Sequence, residues 1–257
     1  MPVVLETRAL DKRFDAVVAA ADISVRVEDG EVVGIIGANG AGKTTFINMV
    51  TGYLTPSSGS ITYRGRNITG LPPRRVTRLG ICHSFQIPQL FLGLSALDNL
   101  VVALGTANGR WLSAWRPLKS KNMIEDAQAR LSRFGIDAYA GNDASTLPQG
   151  IRKLLDIAMA VAGTPSLILL DEPTSGISVD EKLPIMDRIM AALAGERLTV
   201  MFVEHDMEII ERYAKRVLAF YDGRVIADGP TAAVLASPEV RQYVIGSEIH
   251  RRPAERA

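Results

Sequence analysis

The run Gly37-Ala38-Asn39-Gly40-Ala41-Gly42-Lys43-Thr44 combines a glycine-rich loop with a terminal lysine and hydroxyl. Glycines let successive backbone N–H groups curl around phosphate oxygens. A lysine at this place reaches the β- and γ-phosphates of a nucleotide, and the hydroxyl ligates Mg²⁺. Its flanks suit that chemistry. The apolar stretch Val32 to Ile36 precedes the loop, and Phe46, Met49 and Val50 follow at helical spacing, closed by Gly52. Strand, loop and helix in that order bring the positive end of a helix to the phosphates.

A phosphate-binding loop needs a carboxylate near its cation, and Leu167-Ile168-Leu169-Leu170-Asp171-Glu172-Pro173 supplies two. The apolar run is short enough to be a strand, and it delivers both acids at its C-terminal end, where open α/β sheets bind ligands. Asp171 is then the Mg²⁺ residue. Glu172 is the candidate general base that orients or deprotonates the attacking water. Two acids capping the next helix are the bland alternative. His205, just past the apolar run Leu198 to Val203, is by itself more often structural than catalytic.

The elements that must position these groups follow from periodicity. Ile23, Val25 and Val27 alternate with polar residues up to Asp29-Gly30, and a nearly continuous apolar stretch follows to Ile36, which predicts a hairpin leading into a buried strand. Gly59 to Gly65 reads as a second β unit. Apolar runs at Leu167 to Leu170, Leu198 to Val203 and Val217 to Phe220 alternate with helical patterns such as Leu183 to Leu193, which implies an α/β fold with a mostly parallel core sheet. From about Leu94 to Ala162 the rhythm becomes helical, as in Met123 to Phe134, and reads as an inserted subdomain.

Composition narrows the class. Lys and Arg number 29 against 28 Asp and Glu, so a net charge of +1 offers no field for a nucleic acid backbone, which is not expected as a partner. The single Cys82 has no companion thiol and reads as a small core residue of a reducing compartment. Glu6, Arg8, Asp11 and Lys12 stand where a secretory leader needs an apolar run, and no uncharged stretch reaches the roughly 18 residues of a membrane span. The expectation is a soluble cytoplasmic chain, with Arg251 to Ala257 a disordered end.

Taken together, Gly37 to Thr45, Gln86 within Ser84-Phe85-Gln86, Asp171-Glu172-Pro173-Thr174-Ser175 and His205 resemble the nucleotide-binding subunits of ABC transporters in order and spacing. The resemblance covers nearly the whole chain. It implies a P-loop NTPase fold with a RecA-like core and antiparallel β-subdomain over 1–93 and 163–257, and an α-helical signature subdomain over 94–162. It implies ATP and Mg²⁺ as ligands and a two-chain ATP sandwich. Phe14 stacks on adenine in that scheme, Thr45 touches the α-phosphate, Gln86 touches Mg²⁺ and relays to a membrane permease, and His205 contacts the γ-phosphate. Val203 to Met207, the insertion around Gly105 to Lys121 with Trp111 and Trp115, and Val240 to Gly246 look like LivG-type ATPases of branched-chain amino acid importers. That branch implies peripheral attachment to the inner face of the membrane, a LivF-like second ATPase or a second copy of the chain, and a solute-binding protein. Urea or amide importers and the lipopolysaccharide-export ATPase are the near alternatives. A kinase or GTPase would lack Gln86, the acid pair and His205 as a set.

Two departures stand out. Most members read Leu-Ser-Gly-Gly-Gln where this chain has Leu147-Pro148-Gln149-Gly150-Ile151, so the signature hydroxyl that reaches the opposite chain's γ-phosphate is missing. Many relatives also carry an aspartate where this chain has Ser178.

Overall fold

In the computed structural model, which describes residues 2–107, 120–194 and 198–246, the chain divides into two compact units. One comprises the residues up to Ile81 and from Thr199 onward, the other Cys82–Leu198. Trp111, Trp115 and the tail from Arg251 lie outside the described residues.

The first unit opens with β1 (Val3–Phe14) and β2 (Val17–Glu28), paired antiparallel with Leu5 opposite Val27 and Thr7 opposite Val25. The alternation works as expected: Ile23, Val25 and Val27 are buried while Asp22, Ser24 and Arg26 face out. A register shift between Thr7 and Leu10 is absorbed at Ala9, whose φ is +44°. Next come β3 (Val32–Gly37), α1 (Lys43–Val50), β4 (Ser58–Tyr63), β5 (Arg66–Asn67) and α2 (Pro73–Leu79). The antiparallel sheet runs β2-β1-β4-β5. The predicted hairpin into β3 does not form. β2 has one buried and one polar face and stays in this sheet, whereas β3 is apolar on both faces and joins a different one.

The second unit holds all but the first residue of β6 (Ile81–Ser84), with α3 (Ala96–Ala107), α4 (Lys121–Arg133), α5 (Gln149–Ala160), β7 (Leu167–Asp171) and α6 (Val179–Ala194). β6 and β7 are neighbours, and β7 is buried along its whole length. Met123, Ala127 and Leu131, four residues apart, form the stripe that buries α4, which packs on α3. Gly150 lets α5 approach α6 closely, since a Cβ there would lie 2.9 Å from Ile185 Cδ1.

The chain returns to the first unit with β8 (Thr199–Val203), α7 (Met207–Tyr213), β9 (Arg216–Tyr221), β10 (Arg224–Pro230), α8 (Thr231–Ala236) and the short α9 (Pro238–Val240). Within it the strands run β10-β9-β3-β8, with β3 parallel to both β8 and β9 and β10 antiparallel at the edge. Parallel strands buried on both faces must be continuously apolar, which is why these runs were legible.

Candidate functional site

The glycine-rich loop joins the C-terminal end of β3 to α1. Gly42 is the N-cap of α1 at φ +100°, and a Cβ on it would sit 2.7 Å from the Ala19 carbonyl oxygen of β2. Only glycine meets both demands. α1 begins without a side-chain cap, so its first-turn amides are the donors that a helix leaves to an anion. Lys43 is buried, and its Nζ donates to the carbonyls of Gly37 (2.5 Å) and Ala38 (3.1 Å), holding an ammonium inside the curve of the loop. Gly223 ties the loop down from behind, its N–H donating to Ala41 O while its carbonyl accepts from Ala21 N–H.

β8 lies beside β3 with Val203 opposite Ile35, and Glu204 N–H donates to Ile35 O at 3.3 Å. His205 therefore follows β8 at the level where Gly37 ends β3, on the strand edge that carries the loop. It sits just before Asp206, which caps α7 by accepting from Glu208 N–H. Phe14 ends β1 opposite Val17, at the tip of the hairpin whose Ala19 abuts Gly42. Its ring is 48% exposed, with Lys12 Nζ 5.0 Å from the ring centre. Val17 and Val18 are also exposed and extend this apolar tip. Sequence reading missed them because two exposed valines look like ordinary strand residues.

In the second unit, Asp171 ends β7 nearly buried and Glu172 follows at φ +45°. A non-glycine residue in that region costs on the order of 1–3 kcal/mol, and such strain gathers at functional positions. Gln86 Nε2 donates to Glu172 Oε2 at 2.7 Å, so the amide sets the orientation of the carboxylate. Thr44 offers an exposed hydroxyl in the first unit, while Asp171 and Gln86 offer oxygens in the second. These are hard oxygen donors of the kind Mg²⁺ takes. Among the described residues no cluster of three His, Cys, Asp or Glu could hold a metal.

Pro148 is the N-cap of α5, with Gln149 and Gly150 opening the helix and Leu147 buried behind it. The helix starts normally, as Arg152 N–H donates to Pro148 O at 3.0 Å, but no side-chain cap is present. Ser178 Oγ donates to Glu181 at 2.7 Å in the first turn of α6.

Polar residues that the sequence reading passed over bind this unit together. Asn99, fully buried, accepts from Phe91 N–H and donates to the carbonyls of Phe91, Leu94 and Ser95, shaping the segment on which Ile87, Phe91 and Leu92 are exposed. Asp156 accepts from Ser84 Oγ at 2.6 Å and Gln89 N–H at 2.8 Å. Cys82 is buried, and burial pushes its thiol up to about 11, so it is an unreactive core residue.

Burial, with the charge of Lys153 adding to it, holds His83 down to about 4. An unfolded chain takes up the imidazole proton near pH 6.5 while the folded chain refuses it until about pH 4. Stability therefore falls as pH drops through that window, by about 1.4 kcal/mol per pH unit from this group. Urea unfolding at pH 6.5 and pH 5 should differ by about 2 kcal/mol more in the wild type than in His83→Leu. Equal pH slopes would contradict the assignment.

A family model described as ABC transporter matches residues 20–175. The chain belongs to the ABC transporter family. It is 31% identical over 253 residues to the probable branched-chain amino acid transport ATP-binding protein LivG of Archaeoglobus fulgidus, covering 95% of this chain and 96% of the relative. It is 33% identical over 248 residues to the lipopolysaccharide export system ATP-binding protein LptB of Acidithiobacillus ferridurans, covering 96% and 99%. The solved ADP conformation of an ATP-binding cassette of an ABC transporter matches with a TM-score of 0.83 at 28% identity, over 95% of this chain and 98% of that one. This ABC subunit is thus an ATP-binding and ATP-hydrolysing α/β protein of the P-loop class, as its motifs implied.

Proposed function

We propose that this ABC subunit energises an importer for branched-chain amino acids or related small polar solutes through a separate membrane permease. The observation that carries the proposal is the likeness to LivG along 95% of the chain. The equally long likeness to LptB keeps lipopolysaccharide export as the second reading. Residues 94–162 are assigned to the inserted helical subdomain, and 1–93 with 163–257 to the core and β-subdomain.

In this reading the backbone N–H groups from Gly37 to Gly42 and the start of α1 bind the β- and γ-phosphates, with the Lys43 ammonium neutralising their charge. Thr45 binds the α-phosphate, Phe14 stacks on adenine and His205 contacts the γ-phosphate. Glu172 takes the proton of the attacking water, its carboxylate oriented by Gln86. Thr44, Asp171 and Gln86 are the residues that would hold Mg²⁺, which would supply positive charge to offset that of the phosphates. Leu147, Pro148, Gln149 and Gly150 face the nucleotide of a second ATPase, assigned as a LivF-like partner with an unaltered signature.

Among the described residues no helix is long and apolar enough to cross a membrane. Work at a membrane then needs a docking surface, assigned to the Gln86 loop and the exposed Ile87, Phe91 and Leu92 beside it, on the inner face of the membrane. The test is reconstitution of the chain with its permease and second ATPase in vesicles. ATPase activity should rise several-fold on adding binding protein loaded with a branched-chain amino acid. A rate indifferent to permease and binding protein contradicts the importer reading.

A further inference from the structure

α5 is an apolar helix with a polar fault in it. Ile151, Leu154, Leu155, Ile157 and Ala158 are buried, as such a helix requires, yet so are Lys153 and Asp156, at 2% and 6% exposure. Charged side chains are almost never so deeply buried unless each finds partners. Both do, with partners in the Ser84–Gln89 segment and at the end of β7, next to Glu172. Lys153 Nζ donates to Phe85 O at 2.6 Å, to Gln86 O at 3.5 Å and to Asp171 O at 3.4 Å. The three donors of an ammonium thus reach the backbone of the Gln86 loop and the last residue of β7 at once. Three residues further along the same helix, Asp156 accepts from Ser84 Oγ and from Gln89 N–H, on either side of Gln86.

We infer that Lys153 is a positioning residue for hydrolysis: it fixes the backbone of Gln86 against that of Asp171, and so sets the hydrogen bond by which Gln86 orients Glu172. The inference rests on the assignment of Glu172 as the base. Its consequence is mechanical. α5 begins at Pro148, so a displacement of the signature end of the helix is carried through Lys153 and Asp156 to the loop and strand end that bear Gln86 and Glu172. A single helix links the surface assigned to the partner's nucleotide with the base that serves this chain's own. Neither charge is among the groups assigned to the nucleotide, so neither should govern its affinity.

Lys153→Met in the full chain should lower kcat by roughly tenfold or more, because a small misplacement of a catalytic group is that costly, while KM for ATP stays within about threefold. Lys153→Arg, which keeps the cation and its donors, should recover most of kcat. Combining Lys153→Met with Gln86→Ala should cost little more than Gln86→Ala alone, since both act through the orientation of Glu172. Should Lys153→Met fail to fold, Lys153→Gln carries the same measurements. A kcat at the wild-type level, or losses that add fully in the double variant, overturns the proposal. Lys43→Ala, assayed alongside, separates the two levels of the argument. Activity that survives it overturns the nucleotide reading and this inference together, whereas an inactive Lys43→Ala beside a fully active Lys153→Met overturns this inference alone.

Discussion

Glu172→Gln in this chain should abolish nearly all turnover of the assembled ATPase pair, while the matching change in the second ATPase should leave a substantial fraction. The asymmetry comes from Pro148. In the proposed two-chain assembly, a nucleotide assigned to this chain's Lys43, Glu172 and His205 would be completed by the partner's signature, whereas the partner's nucleotide would face Pro148, Gln149 and Gly150. Pro148 occupies the N-cap of α5 and has neither a hydroxyl nor a backbone N–H to donate. One lost hydrogen bond to a charged phosphate removes about 1.5 to 3 kcal/mol, roughly ten- to a hundred-fold in rate where the bond matters in the transition state. Binding at that site should survive. α5 keeps its dipole and its first-turn amides, and Gly150 keeps the backbone open to close approach. Turnover measured with one glutamate replaced at a time decides the matter, and equal losses from the two changes contradict the asymmetry.

What the sequence revealed and what it hid have physical causes. The glycine-rich loop and the strands β3, β7, β8 and β9 were legible because burial on both faces leaves uninterrupted apolar runs, and because Gly42 answers a local steric demand. The sheet to which β2 belongs was misread. β1 was not read as a strand, so its local hairpin with β2 was overlooked, and only long-range registry places β3 between β8 and β9. Strand β10 escaped notice because an edge strand with mostly half-buried residues has weak alternation. Gln86 and Glu172 could be named from motifs, but their contact spans 86 positions and has no local signature. Lys153 and Asp156 did leave a signal, two charges three residues apart on an apolar helix. Nothing in the sequence says that the chain's own carbonyls would receive that lysine.

The central claim is that Lys43 holds the nucleotide and Glu172 acts in its hydrolysis, and the two roles separate cleanly in one comparison. Removing the Lys43 ammonium takes away the charge at the centre of the loop and frees the Gly37 and Ala38 carbonyls that it gathers, so Lys43→Ala should weaken ATP binding by roughly a hundredfold or more. Glu172→Gln keeps the shape and the hydrogen bond from Gln86 within reach but removes the base, and should lower turnover by roughly 10² to 10⁴ with little change in ATP affinity. The direct measurement is equilibrium ATP binding and steady-state hydrolysis on the wild-type chain and these two variants under one set of conditions. The account predicts a Glu172→Gln chain that retains ATP without hydrolysing it and a Lys43→Ala chain that does not retain it. Hydrolysis by Glu172→Gln at the wild-type rate would contradict it.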